Sequence, residues 1–445
     1  IYPDINWIDY CMNKAAFQSQ HNVNISGGTS NMKYFVSAGL FTQGGMFKQF
    51  NATDDFNFDY KRYNYRANLD FDVTKTTLLS VNIGGRIETK RTPESGEDQN
   101  QLFRKLYWAV PFAGAGIVNG ERVVSNSEIL PFTGMDGLSS YYGKGFQTKT
   151  TNVLNVDLAL NQKLDFITKG LSVKLKGAYN SEYANIKKAS SSKAYYTPVA
   201  NADGSISLRK YGTDSQLSYD EPDNGFSKAR NWYMELALNY ARKFGDHNVS
   251  AMVLFEEQYN NWDSFYAQRV MQLVGEYLIY GEEEGQIGSM GGAGDVTRQA
   301  YVGKLTYDYK GRYMVDFSFR EDGSSRYPKD GRWGFFPGVS AGWRISEEPF
   351  VKELVPFLTN LKLRGSWGKM GDDGAAGTYP ETAVAYNINK DRIAWFYNGI
   401  LMTGVEPTAI PNPDKTWYTS KTVNLGLDFD PVSYTHLTLP TILRV

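Results

Sequence analysis

Apolar and polar residues alternate with a period of two along most of this chain. Tyr301, Leu305, Tyr307 and Tyr309 fall on one side of such a run, and Lys304, Thr306 and Asp308 fall on the other. That is the pattern of a strand whose two faces meet unlike surroundings. Lys310-Gly311-Arg312 reads as a tight turn, and the return strand sets Tyr313, Val315, Phe317 and Phe319 against Asp316, Ser318, Arg320 and Asp322. A polar loop from Glu321 to Arg332 follows. Alternation then resumes, with Trp333, Phe335, Val339, Ala341, Trp343 and Ile345 opposite Ser340, Gly342 and Arg344.

The same grammar repeats. Val23 and Ile25 lead through a Gly27-Gly28 turn into Tyr34, Val36, Ala38 and Leu40. From Asp59 to Val73, Tyr63, Tyr65, Ala67, Leu69 and Phe71 interleave with Arg62, Asn64, Arg66, Asn68, Asp70 and Asp72; after Thr74-Lys75-Thr76, Leu79, Val81, Ile83 and Ile87 stand against Ser80, Asn82, Arg86 and Glu88. Leu154 to Leu160 pairs with Leu171 to Tyr179, Trp232 to Tyr240 pairs with Val249 to Phe255, and Lys421 to Asp430 closes the series. The expectation is about thirteen strands. Short turns alternate with four long connections: Thr92 to Lys149, Ile186 to Lys228, Asn260 to Thr297 and Met370 to Ser420.

Long loops gathered at one end, short turns at the other and aromatic strand ends describe an all-β, antiparallel transmembrane β-barrel. A soluble sandwich has no reason to keep its long connections on one side. The first hairpin turns through a short connection, so its first strand runs inward from the loop side. One outward strand must precede it, and thirteen strands then fall short of the roughly 22 of a plugged transporter. The barrel is read as partial.

Composition changes this picture little. The 445 residues carry a formal net charge of -1, which gives no reason to expect nucleic acid. Mean hydropathy is -0.45, as a barrel allows when only every second residue of its ~10-residue strands is apolar. Aromatics make up 15 % of the chain, with 31 tyrosines, in keeping with girdles at two membrane interfaces. The most apolar stretch, Leu106 to Val118, is broken by Pro111 and too short for a spanning helix. Ile1 to Phe17 suits a short helix or loop, and the single Cys11 excludes an internal disulfide.

The words DGSSRYPKDGRWGFFPGVSAGWRISEEPF and LKLRGSWGKMGDDG, with HNVNISGGT before them and NPDKTWYTSKTVNLGLDFD after them, resemble the SusC/RagA family of TonB-dependent outer-membrane transporters. The resemblance implies an importer of oligosaccharides or peptides. It is energised by the TonB complex through an amino-terminal plug, embedded in outer-membrane lipid and covered by a SusD-like surface lipoprotein. By that comparison the plug, the TonB-contacting segment and the last third of the barrel are absent. The first residues do not form an export signal, so the chain reads as a piece of a longer protein. Residues 1–430 are taken as a partial barrel domain. Pro431 to Val445 is taken as a non-native read-through tail, since Pro431 and Pro440 suit no interior strand. The alternatives are a passive porin or adhesin barrel and a secreted carbohydrate-binding β protein.

Candidate chemistry is sparse, and no enzyme activity or cofactor is expected. His21, His247 and His436 have no metal-ligand spacing, and Gly114, Gly116 and Gly120 lack the strand-to-helix context of a nucleotide site. Glu256-Glu257 and Glu282-Glu283-Glu284 resemble a glycosidase pair, but read better as a strand end and a solvated loop able at most to hold calcium weakly. On the polar strand faces, Arg62, Arg66, Arg86, Asp316, Asp322 and Arg344 read as plug-facing or mutually paired lumen residues. Arg320 joins the loop aromatics Trp262, Tyr266, Trp395 and Phe396 as the candidate substrate contacts, with packing within the loops as the other reading.

Overall fold

A computed structural model of the chain describes residues 3–50, 58–94, 99–125, 135–215, 225–271, 281–355, 358–374, 386–407 and 414–431. Its strands in chain order begin with β1 (Gln18–Gly28), β2 (Met32–Gly44), β3 (Asp59–Thr74), β4 (Thr77–Pro93), β5 (Gly114–Val118) and β6 (Glu121–Val124). They continue with β7 (Gly145–Lys163), β8 (Leu171–Ser190), β9 (Tyr195–Ala200), β10 (Ile206–Tyr211), β11 (Gly225–Phe244), β12 (His247–Met271) and β13 (Gly281–Tyr309). The last are β14 (Tyr313–Ser324), β15 (Trp333–Arg344), β16 (Leu358–Asp372), β17 (Tyr386–Tyr397), β18 (Ile400–Pro407) and β19 (Tyr418–Pro431). Three short helices, α1 (Trp7–Cys11), α2 (Gln99–Trp108) and α3 (Pro349–Leu354), lie in the connections.

Thirteen strands form one antiparallel sheet, in the order β1-β2-β3-β4-β7-β8-β11-β12-β13-β14-β15-β16-β19. Every pairing is between neighbours in this series, so the sheet is a meander, and β1 and β19 are its edges among the described residues. The tight turn at Lys310-Gly311 is left-handed at both positions, with φ of 56° and 65°; Gly311 adopts this without strain, and the turn lets Tyr309 pair directly with Tyr313. The Gly27-Gly28 turn is corrected: both glycines lie in β1, opposite Tyr34 and Lys33, and the chain reverses at residues 29–31.

Register puts the apolar residues of successive strands on one face. Leu236, Val253, Tyr301, Phe317 and Val339 all lie on it and stay solvent-exposed in the isolated chain, as a lipid-facing surface requires. Two aromatic belts bound this face. On the side of the short turns, His247, Tyr309, Tyr313 and Trp343 follow one another with centroid spacings of 4.8, 6.4 and 6.4 Å. On the other side are Tyr179, Trp232, Phe255, Tyr301 and Trp333. Ten residues separate Trp333 from Trp343 on β15; at ~3.3 Å per residue and a ~40° tilt, that is a band about 25 Å tall.

The strands run well beyond this band on the long-loop side, which corrects the reading of Asn260 to Thr297 as a loop. β12 and β13 stay paired from His247 and Tyr309 as far as Met271 and Gly281, so Trp262 and Tyr266 are strand residues. Glu256 and Glu257 fall inside β12 and do not end it. Glu282 to Glu284 lie in β13, and their side chains fall outside the described residues.

The other long connections are also folded. Residues from four separate segments share one core: Trp7 and Cys11 of α1, Phe47 after β2, Leu102 and Leu106 of α2, and Leu138, Tyr141 and Tyr142 before β7. Trp7, Phe47, Leu102 and Tyr141 are each at most 2 % exposed, and burying side chains of this size stabilises the fold by about 1.5–3 kcal/mol apiece. Asn6 caps α1, its side-chain oxygen accepting from the Ile8 and Asp9 amides. β10, β9, β6 and β5 make a small second sheet in which β9 lies parallel to β6, joining the β4–β7 and β8–β11 connections. These connections therefore form a cap over one end of the sheet.

Candidate functional site

The face opposite the apolar one carries the chemistry. Its positions on β8 and β11 are Lys174, Lys176, Tyr233 and Glu235, alternating with Val173, Leu175, Met234 and Leu236. Cross-strand pairing sets them side by side. Lys174 Nζ lies 2.9 Å from Glu235 Oε1 and Lys176 Nζ 3.7 Å from Asp157 Oδ1, with Lys176 also above the Tyr233 ring at 5.7 Å. The Tyr233 hydroxyl lies 3.0 Å from Glu235 Oε2 and 2.9 Å from Glu256 Oε2, so its one proton serves either carboxylate. Glu256 pairs in turn with Arg320 across β13, and Arg320 Nε donates to Asp322 at 2.7 Å. A chain of polar contacts thus crosses the wall from β7 to β14, about level with the belt of Phe255 and Tyr301.

The sequence singled out Arg320 and Asp322, and they belong to this chain. Arg320 is held by two carboxylates on the polar strand face, away from the cleft of Trp262 and Tyr266. Asp157, Lys174, Lys176, Tyr233 and Glu235 were not singled out, although the strict alternation of β7, β8 and β11 marks them as polar-face residues.

Arg66 and Arg86 line an adjoining groove of about 560 Å³ over β3, β4 and β7, together with Asn64, Asn68, Asn82 and Asp157. Within it Arg66 Nε donates to Asn68 at 3.0 Å, and Arg86 pairs with Glu88 at 3.2 Å. Arg62 lies over the Phe41 ring at 5.4 Å. Asp316 accepts from Thr306 at 2.6 Å and Ser340 at 3.2 Å and lines a second groove, of about 380 Å³, with Lys362 and Arg364. Arg344 stands apart at the short-turn end of β15, its amide donating to Arg312 O at 2.7 Å.

Trp262 and Tyr266 lie above the polar chain, in the part of β12 beyond the aromatic belt. They border a cleft of about 520 Å³ with Phe226, Ser264, Gly291 and Gly292. The Trp262 indole lies over two glycines of the paired strand. A Cβ on Gly294 would come within 2.8 Å of Trp262 Nε1, and one on Gly292 within 3.3 Å of Cζ3. Only glycine lets the ring lie this close, and Trp262 remains 37 % exposed. Trp395 and Phe396 fall on β17, which pairs with β18, and their side chains are outside the described residues. Among the described residues no cluster of His, Cys, Asp or Glu could hold a metal ion.

An antiparallel meander with an apolar outer face between two aromatic belts, a polar inner face and long connections on one side is the wall of a transmembrane β-barrel. The family model described as TonB dependent receptor-like, beta-barrel matches residues 108–439, and the chain belongs to that family. Barrels of this family are outer-membrane proteins, and the family is one of receptors and transporters. The chain is 26 % identical over 450 residues to the TonB-dependent receptor SusC of Bacteroides thetaiotaomicron, covering 95 % of this chain and 40 % of that protein. It is 24 % identical over 422 residues to the TonB-dependent receptor P3 of Formosa agariphila, covering 92 % and 38 %. The RagAB peptide importer in its closed-closed state superposes with a TM-score of 0.67 at 16 % identity, covering 97 % of this chain and 45 % of that one. The chain thus spans less than half the length of these relatives. The family match extends into the stretch 431–445; Pro431 ends β19 opposite Leu358, and residues 432–445 lie outside the described ones.

Proposed function

We propose that this chain is part of the barrel wall of a SusC/RagA-type importer in the outer membrane. The complete protein takes up oligosaccharides or peptides, is energised through the TonB complex, and works under a SusD-like surface lipoprotein. The observation that carries this reading is the chain of paired charges from Asp157 to Asp322 on the inner face. Charges paired within hydrogen-bond reach can exchange partners with a polar plug or solute at little net cost, whereas an unpaired charge there would bind or repel strongly. The cleft beneath Trp262 and Tyr266, on the extracellular side, supports a first contact with the solute: an indole backed by glycine offers one open face for stacking. Arg62, Arg66, Arg86, Asp316 and Arg344 are assigned to the plug-facing surface. The barrel domain is placed over residues 1–430, with Pro431–Val445 foreign to it; resequencing the 3′ end of the gene checks that boundary.

The test is uptake in a host expressing the full-length protein, with fluorescent oligosaccharides and fluorescent peptides offered separately. Uptake of one class that stops when TonB is deleted supports the proposal. Uptake that persists without TonB identifies a passive porin, and surface binding without uptake identifies an adhesin.

A further inference from the structure

Strand β15 does not turn straight into β16. Between them lie a 3-10 turn, Ile345–Glu347, and the helix α3. Glu348 sits at their junction. Its carboxylate accepts from the Tyr313 hydroxyl at 2.6 Å and from Trp343 Nε1 at 3.0 Å, with Arg312 Nη1 at 3.5 Å. Tyr313 and Trp343 are both in the lower belt of the outward face, where their rings are stacked at 9°. The connection is therefore tied to the lipid side of the wall and does not cross the lumen.

Glu348 also takes up the polar tips that a belt Tyr and Trp would otherwise turn toward headgroups. The helix that follows is two-faced. Phe350 and Leu354, four residues apart, share one side and are 55 % and 76 % exposed. Lys352 points away from them and pairs with Glu347 at 2.6 Å. Among the described residues nothing covers the apolar side, which continues the lipid-facing surface below Tyr313 and Trp343. Another short connection at this end of the sheet, between β7 and β8, shows the same character, with Phe166 and Ile167 both exposed.

We propose that α3 is an interfacial foot: Glu348 fastens it to the outward face, and Phe350 and Leu354 enter the phospholipid of the periplasmic leaflet. Arg312 would sit at headgroup depth beside the Glu348 carboxylate. An amphipathic segment lying in the interface plane, apolar side down and Lys side up, is the arrangement that buries its exposed apolar atoms while leaving its charges in water.

The inference rests on the membrane reading above, and the experiment separates the two. In the full-length protein in phosphatidylethanolamine–phosphatidylglycerol bilayers, spin labels are placed by Phe350→Cys, Leu354→Cys, Lys352→Cys and Phe317→Cys. Access of each to oxygen, which favours lipid, and to a nickel chelate, which favours water, is measured. The expected result is an oxygen-to-nickel ratio at 350 and 354 that matches 317 and exceeds 352 several-fold. Glu348→Ala should lower the ratio at 350 while leaving 317 unchanged. A ratio at 350 and 354 like that at 352 would put the helix in water and overturn the foot. Low access to both reagents would show a protein covering the site, which also overturns it. Nickel access at 317 itself would remove the membrane reading, and the foot with it.

Discussion

Arg298 and Asp373, 75 residues apart, meet in a two-point ion pair, with Nε to Oδ2 at 2.8 Å and Nη2 to Oδ1 at 3.0 Å. Ser324 Oγ donates to the same carboxylate at 2.9 Å, Arg326 Nη1 reaches the Asp373 carbonyl at 3.2 Å, and the buried Tyr327 donates to Asp372 O at 3.3 Å. Two of the sequence words, DGSSRYP and GKMGDDG, are thus halves of one knot above the upper aromatic belt. It joins β13, the β14–β15 connection and the end of β16. Trp417 completes it, packing on Tyr327 and Phe336 at 5.4 Å and donating to Arg332 O at 2.9 Å.

Cutting this knot should be costly. Burial raises the Asp373 carboxyl pKa, but hydrogen bonds from Arg298 and Ser324 outweigh it and leave the carboxyl below its ordinary range. The stability this gives is complete above the ordinary aspartate value and is lost as the pH falls through the lowered one. Arg298→Ala should cost about 1–3 kcal/mol at neutral pH. Thermal unfolding of the full-length protein in detergent should show the deficit shrinking at acid pH; a deficit that does not change with pH would contradict the assignment.

Glu256 and Arg320 should behave as one unit. Glu256→Gln and Arg320→Ala each remove one side of a pair whose partners, Tyr233 and Asp322, stay behind. A double-mutant cycle on unfolding should give a coupling of about 0.5–3 kcal/mol, against near-zero coupling for either residue with Arg344, which makes no contact with this chain.

Cys11 should be unreactive in the folded protein. Burial pushes its thiol up to about 12, against a smaller lowering by the hydrogen bond with Tyr141. The thiolate is therefore scarce below that pH, and the sulfur is also shielded. Maleimide labelling of intact cells at neutral pH should be negligible and should become complete in denaturant; labelling of native protein would show that the cap core is open.

The cap should be separable from the wall. Phe47→Ala empties the middle of its core, where the ring meets Phe58, Phe103 and Tyr141 at 5.2, 5.6 and 4.9 Å, and should cost about 3–5 kcal/mol locally. Protease added to intact cells should then cut within residues 94–144 while the paired strands survive as large fragments. Loss of the whole protein would mean that cap and wall fold as one.

The wall was readable because its signal is local. Leu69 and Phe71 announce a lipid-facing strand from two residues apart, and thirteen such strands were there to be counted. The cap was not readable, because Trp7, Phe47, Leu102 and Tyr141 come from segments that share no period and meet only in the tertiary structure. The upper part of β13 escaped for another reason: Gly288, Gly291, Gly292 and Gly294 erase the alternation, though the backbone still pairs. Among the candidate site residues, the faces of Arg62, Arg66, Arg86, Asp316, Arg320, Asp322 and Arg344 follow from parity alone. Their partners do not, because Glu256 and Arg320 are brought together by register across an intervening strand.

The glycine ledge beneath Trp262 sets a limit on how this protein can vary. Substitution at Gly292 or Gly294 would drive a side chain into the indole from behind and tip it out of the cleft, so the shape of the ring's open face is encoded partly in the strand paired with it. If the cleft makes the solute contact proposed above, changes of preference at this spot can arise from the glycine strand as readily as from the aromatic one.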